Sequence, residues 1–123
     1  DIIDWKKFNS YLKRDDFNNH KVTQYLYDIS FKDNFKKFSY LINQADLFFL
    51  DGPKDGIFEY KLLERISRLK LKNKKRILII DDIRFLNMIP LWRSIKSPKL
   101  DLTSFGHWSG TGVVDISEKL ILN

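Results

Sequence analysis

The sequence predicts an α/β fold, a mostly parallel sheet ending in an antiparallel hairpin, and three observations carry that prediction. Two short apolar runs, Ala45 to Leu50 and Arg76 to Ile80, stop abruptly at aspartate: Asp51 in the first, Asp81-Asp82 in the second. Between them, Ile57, Leu62, Leu63, Ile66 and Leu69 recur at helical spacing over Ile57 to Lys70. Beyond them, Lys99 to Thr103 and Gly112 to Ile116 read as two more strands around a glycine-rich connection, Ser104 to Thr111. A strand, a helix and a strand in succession make a right-handed crossover, which puts both acidic tips on one edge of the sheet. Apolar runs with this aromatic content read as strands buried on both faces.

Taken in order, the chain opens with Asp4 to Leu12, where Trp5, Phe8, Tyr11 and Leu12 suit a helix with Asp4 as its N-cap. Asp15 to Lys21 is polar and loop-like. Val22 to Tyr27, rich in branched and aromatic residues, reads as a strand ending at Asp28. Lys32 to Asn43 places Phe35, Phe38, Leu41 and Ile42 on one helical face. Gly52 and Pro53 end the first acidic strand, leaving Asp51 at its carboxyl end, where open α/β sheets bind ligands. Phe85 to Ile95 is a weaker helix in which Pro90 predicts a break or kink.

Length and composition bound the rest. A chain of 123 residues has room for one domain, 1–123, and a hydrophobic content of 43% is ample for a core. The absence of cysteine excludes disulfides, thiolate zinc sites and cysteine nucleophiles, and it suits a cytoplasmic protein. No run approaches the roughly 20 apolar residues that span a bilayer. Asp1 to Asp4 lacks the basic region of a signal peptide. The net charge of +6 owes much to Arg65, Arg68, Lys70, Lys72, Lys74, Lys75 and Arg76. A solvated helix end explains such a cluster; the alternative is a noncatalytic domain whose basic surface takes an anionic partner. Nucleic acid is not the expected partner, and neither is a membrane.

The alternation of helices and strands with a closing hairpin resembles the carboxyl-terminal two-thirds of a class I S-adenosylmethionine-dependent methyltransferase, a Rossmann-like fold. The family's fourth strand ends in a D-x-x-F-x-D-G-like motif, matched by Asp46 to Gly52. Within it, the metal-dependent catechol and caffeoyl-CoA type O-methyltransferases are most similar. Their fourth strand ends in an aspartate followed three residues later by lysine, here Asp51 and Lys54; their fifth ends in aspartate-asparagine, here Asp81-Asp82. Asp82 therefore departs from the family pattern and adds a negative charge. The family's glycine-rich turn after its first strand has no counterpart among the five glycines, so the resemblance implies a sheet lacking its first strand. It further implies that residues 1–123 alone bind S-adenosylmethionine weakly or not at all and are inactive by themselves. Val22–Tyr27 and Asp46–Leu50 would then pair with each other, with a second copy of the chain in a homodimer, or with a segment outside this sequence.

The resemblance implies cofactor contacts at Asp1, Asp28, Asp51 and Gly52, and O-methylation of a small hydroxylated acceptor. Three carboxylates at adjacent strand ends repel one another unless a cation intervenes, so Asp51, Asp81 and Asp82 are candidate ligands of a divalent metal. Hard oxygen donors favour Mg2+. Beside such a cation the Lys54 ammonium would be disfavoured, making Lys54 the candidate general base. Arg84, His107 and Trp108 are candidate substrate contacts, the last two in a loop that also carries Phe105.

Overall fold

The computed structural model describes residues 1–4, 11–19 and 21–123, which fall into two compact units, Asp1–Lys37 and Phe38–Asn123. The helix expected over Asp4 to Leu12 rests on residues 5–10 and lies outside the described residues.

In the amino-terminal unit the stretch read as a loop contains a short helix, α1 (Arg14–Asn18). Asp16 Oδ2 accepts the Lys13 N–H at 2.8 Å and so caps its entrance. Val22 to Tyr27 is not a strand. Its composition favours extended backbone, but a strand also needs a neighbour, and these groups bond elsewhere. The Val22 N–H donates to the Asp16 carbonyl, and the Tyr25 carbonyl accepts the Asp1 amine at 3.1 Å. Helix α2 (Lys32–Gln44) forms as its apolar spacing predicts, and the boundary between the units falls within it.

The carboxy-terminal unit is built on β1 (Leu47–Leu50), α3 (Ile57–Ser67), β2 (Ile77–Asp81), α4 (Met88–Ser94), β3 (Lys99–Asp101) and β4 (Thr111–Asp115). The strand order is β1-β2-β4-β3, with β1 and β2 parallel and β4 antiparallel to both of its neighbours. This is an α/β fold with an open mixed sheet ending in an antiparallel hairpin. It is not the mostly parallel sheet expected, because β4 inserts beside β2 in the antiparallel sense and only the β1–β2 pairing among the described strands is parallel. Leu78, Ile80 and Val114 point from the sheet into the core, where they join Leu62, Leu63 and Ile66 of α3 and Met88 and Leu91 of α4. Alternation along β2 and β4 keeps this face closed and leaves the other half-buried.

Two expectations change here. The β1 run is not buried on both faces, because Leu47 and Phe49 are 57% and 63% exposed. Among the described residues β1 pairs on one side only, with β2, and is an edge strand. Pro90 neither breaks nor kinks a helix: α4 begins at Met88, so the proline occupies its third position. First-turn N–H groups have no intrahelical acceptor, so one that proline lacks costs nothing there.

Arg76, 1% exposed, fixes the amino-terminal end of the sheet. Its guanidinium donates to the carbonyls of Asn43, Ala45 and Lys72 at 3.1–3.2 Å, joining the end of α2 to the loop before β2. Ser97 performs a similar service after α4. Its buried hydroxyl donates to the Lys119 carbonyl at 3.0 Å and accepts the Ile121 N–H at 2.8 Å. Ser97→Ala strands both groups and should cost about 1–2 kcal/mol. Urea denaturation checks this; a variant as stable as the wild type would contradict it.

Candidate functional site

The parallel register Leu50↔Ile80 aligns the carboxyl ends of β1 and β2, so Asp51 follows one strand end and Asp81 closes its neighbour. The two carboxylates share an edge, as the sequence predicts. Asp82 turns into left-handed backbone (φ 57°), and so does Lys54 in the turn after β1 (φ 63°). Non-glycine residues adopt that conformation uncommonly, and such strain gathers at functional sites.

Lys54 is the centre of the cluster. Its ammonium lies 3.1 Å from Asp51 Oδ1 and 3.6 Å from Asp81 Oδ2, and it contacts Asp82 Oδ2 more closely still. The pairing lowers the Asp82 pKa, through the Lys54 hydrogen bond first and the Ser109 hydroxyl second. In return Asp82, and after it Asp51, raise the Lys54 pKa above its ordinary value. A lysine so held donates hydrogen bonds rather than accepting a proton. The lowering expected beside a divalent cation would require that cation to take the carboxylates from Lys54.

The loop between β3 and β4 brings in residues that the strand motifs do not contain. The Ile83 N–H donates to the Gly110 carbonyl at 3.2 Å and the Arg84 N–H to the Ser109 carbonyl at 2.7 Å, pinning this loop against the segment after β2. His107 is thereby set with Nε2 3.1 Å from Asp81 Oδ1 and Nδ1 2.6 Å from Ser109 Oγ; Thr111 Oγ1 is 3.3 Å from Nε2. Because a carboxylate only accepts, the Asp81 contact places a proton on Nε2.

The structure therefore gathers Asp51, Lys54, Asp81, Asp82 and His107. Ligand atoms of Asp81, Asp82 and His107 lie within 4.8 Å of one another, a grouping that suits a cation. Asp51 is not in that grouping and joins the cluster through Lys54. An imidazole in the donor set also removes the argument for Mg2+ from oxygen ligands alone, since imidazole suits transition metals and zinc. His107, a substrate candidate from the sequence, is by this geometry also a candidate ligand or proton acceptor.

The remaining candidates make other contacts. Arg84 is turned to Asp101 in an ion pair. Trp108 is 79% exposed and Phe105 88%, on the same loop as His107. Gly52 is a packing glycine: a Cβ there would lie 2.6 Å from Glu59 Oε1 and 3.0 Å from a Phe58 ring carbon. Asp1 and Asp28 belong to the amino-terminal unit. Asp1 Oδ2 accepts from Gln24 at 3.1 Å. Asp28 Oδ1 accepts the Ser30 N–H at 2.8 Å, and bonding to Ser30 lowers its pKa.

Four participants escape the sequence reading. Ser109 and Thr111 carry no signal, being ordinary residues of a glycine-rich loop. Asp55 and Glu59 do carry one: an aspartate and a glutamate at the entrance of α3 are helix-capping types. Asp55 Oδ1 accepts the N–H groups of Ile57 and Phe58, both at 2.8 Å.

No family model, curated protein or solved structure matches this chain. Among the described residues no helix is long and apolar enough to cross a membrane.

Proposed function

We propose that the chain forms part of an S-adenosylmethionine-dependent methyltransferase with a Rossmann-like fold that methylates a hydroxyl of a small acceptor at the β1/β2 edge. One observation carries the reading: Asp51, Asp81 and Asp82 meet around Lys54 at the carboxyl ends of adjacent parallel strands. The acidic strand ends and the antiparallel closing strands also accord with the resemblance drawn from the sequence. S-adenosylmethionine supplies, when bound, an electrophilic methyl group on a sulfonium.

This chain's residues would do the rest. Asp81, Asp82 and His107 would hold a divalent cation, which supplies positive charge that makes an acceptor hydroxyl more acidic. With Nε2 turned to Asp81, His107 has only Nδ1 left: where Nδ1 does not hold the cation it would take the hydroxyl proton, and where it does, that proton would go to Lys54 displaced from the carboxylates. Lys54 compensates the three carboxylates and holds them at the edge through its hydrogen bonds. It takes the base role only where a metal has displaced it. Exposed Trp108 and Phe105 offer apolar surface to the acceptor's body.

Incubation of the full-length protein, rather than of residues 1–123 alone, with methyl-labelled S-adenosylmethionine and a panel of hydroxylated acceptors tests the reading. Label is expected in the acceptor, and excess chelator is expected to reduce the rate at least tenfold. Full turnover in chelator would remove the metal's part, and no transfer to any acceptor class would count against the function. The alternative is a noncatalytic domain whose basic surface takes an anionic partner, and three of the seven basic residues behind it have partners within the chain. Arg76 is buried on carbonyls, Lys74 pairs with Asp46 at 2.6 Å, and Arg68 pairs with Glu64 at 2.7 Å. Retention on heparin with a steep salt dependence would favour it.

A further inference from the structure

We infer that Glu59 is the positioning residue of this edge: its buried carboxylate fixes the turn that delivers the Lys54 ammonium to Asp51, Asp81 and Asp82. Glu59 is fully buried. A carboxylate without solvent must be matched by donors, and its two oxygens are divided between two backbone groups. Oε1 accepts the Lys54 N–H at 2.7 Å, and Oε2 accepts the Gly56 N–H at 2.9 Å. Its place in the first turn of α3 adds the positive end of the helix dipole.

Helix capping alone does not explain this arrangement. The first N–H groups of α3, those of Ile57 and Phe58, are already satisfied by Asp55. Lys54 lies outside the helix, and its N–H owes nothing to helix formation. What the Glu59 bond holds is a non-glycine residue at φ 63°, a conformation that an unconstrained lysine leaves readily. The neighbouring glycines are shaped to the same contact. Gly52 approaches Oε1 too closely to carry a Cβ; Gly56, at φ 74°, would place one 2.1 Å from the Asn87 carbonyl oxygen. The turn is thus boxed by Glu59 on one side and the segment before α4 on the other, and what it sets is the direction of the Lys54 side chain.

The consequence for catalysis rests on the function proposed above, but the geometry does not, so the test reads Lys54 itself. In nitrogen-15-labelled protein, an ammonium held by three carboxylates should give a lysine Nζ signal slowed in exchange with water, assigned by its disappearance in Lys54→Met. Glu59→Gln keeps the size of the side chain but replaces one acceptor oxygen with a donor, so one of the two N–H groups loses its partner. It should abolish the Lys54 signal while leaving amide signals of β2, β4 and α4 in place. Asp55→Ala, which removes the helix cap, should leave the Lys54 signal intact. An unchanged Lys54 signal in folded Glu59→Gln would overturn the inference, as would its equal loss in Asp55→Ala. If Glu59→Gln does not fold, Glu59→Asp, one methylene shorter and still charged, is read by the same criteria. Loss of the signal with methyl transfer undiminished would uphold the positioning role and remove Lys54 from the reaction.

Discussion

Asp81→Asn in the full-length protein is expected to slow the proposed methyl transfer by about a thousandfold, within the range that loss of a proton-transfer arrangement produces, while the fold survives. Asp81 reaches both halves of the site, with Oδ1 3.1 Å from His107 Nε2 and Oδ2 3.6 Å from the Lys54 ammonium. Asparagine preserves its size and one acceptor oxygen, but not the charge that orients an imidazolium or attracts a cation. Its backbone pairing with Thr111 is untouched, and its side chain lies outside the hydrophobic core. Removing one of three like charges also relieves repulsion. Stability at neutral pH should therefore change by no more than about 1 kcal/mol. Initial rates and urea denaturation of the same preparation separate the two effects. A variant with the wild-type rate would mean that this edge is not where the reaction occurs.

The legible parts of this molecule are those set by local pattern. Helical spacing locates α2 and α3, and two apolar runs ending in aspartate locate β1, β2 and the shared acidic edge. Where a neighbour decides the outcome, pattern misleads. Leu47 and Phe49 look like residues of a strand covered on both faces, but coverage belongs to the sheet as a whole, and β1 is at its edge. Val22 to Tyr27 has the composition of a strand and no ladder partner among the described residues. Pro90 is a helix breaker only if the helix has already begun, and the sequence does not mark that α4 starts as late as Met88.

The site divides along the same line. Asp51, Lys54, Asp81 and Asp82 are visible because a strand end announces each. His107 comes within reach of Asp81 only because the loop carrying it is bonded to the Ile83–Arg84 segment, a contact between residues 26 apart along the chain that no spacing rule encodes. The direction of the Lys54 pKa is likewise a property of the assembled cluster.

Lys54→Met should destabilise the protein by about 2 kcal/mol at neutral pH, less than the loss on breaking a fully buried pair because the cluster is partly open to solvent. The effect should disappear in acid. Asp82 has its pKa lowered in the folded protein, so its contribution is present above the unfolded value of about 3.9 and is lost as pH falls through the folded value. Lys54 has its pKa raised, so its contribution is full below the unfolded value of about 10.4 and fades only as pH rises through the folded value. Between those limits the ammonium compensates three carboxylates that would otherwise repel. Methionine fills much of the same space but leaves the charges facing one another, so the variant is weakest where all three are ionised. As pH falls through the lowered Asp82 value the carboxylate loses its charge and its need for a cation, and the two stability curves should converge. A divalent cation bound by Asp81, Asp82 and His107 should rescue the variant more than the wild type, because in the wild type it must first displace Lys54. Urea denaturation at pH 7 and at an acid pH below the lowered Asp82 value, with and without added Mg2+, Mn2+ or Zn2+, measures each part. Parallel curves at both pH values would show that Lys54 does not compensate the cluster, and equal rescue of both proteins would show that lysine and metal do not compete for one place.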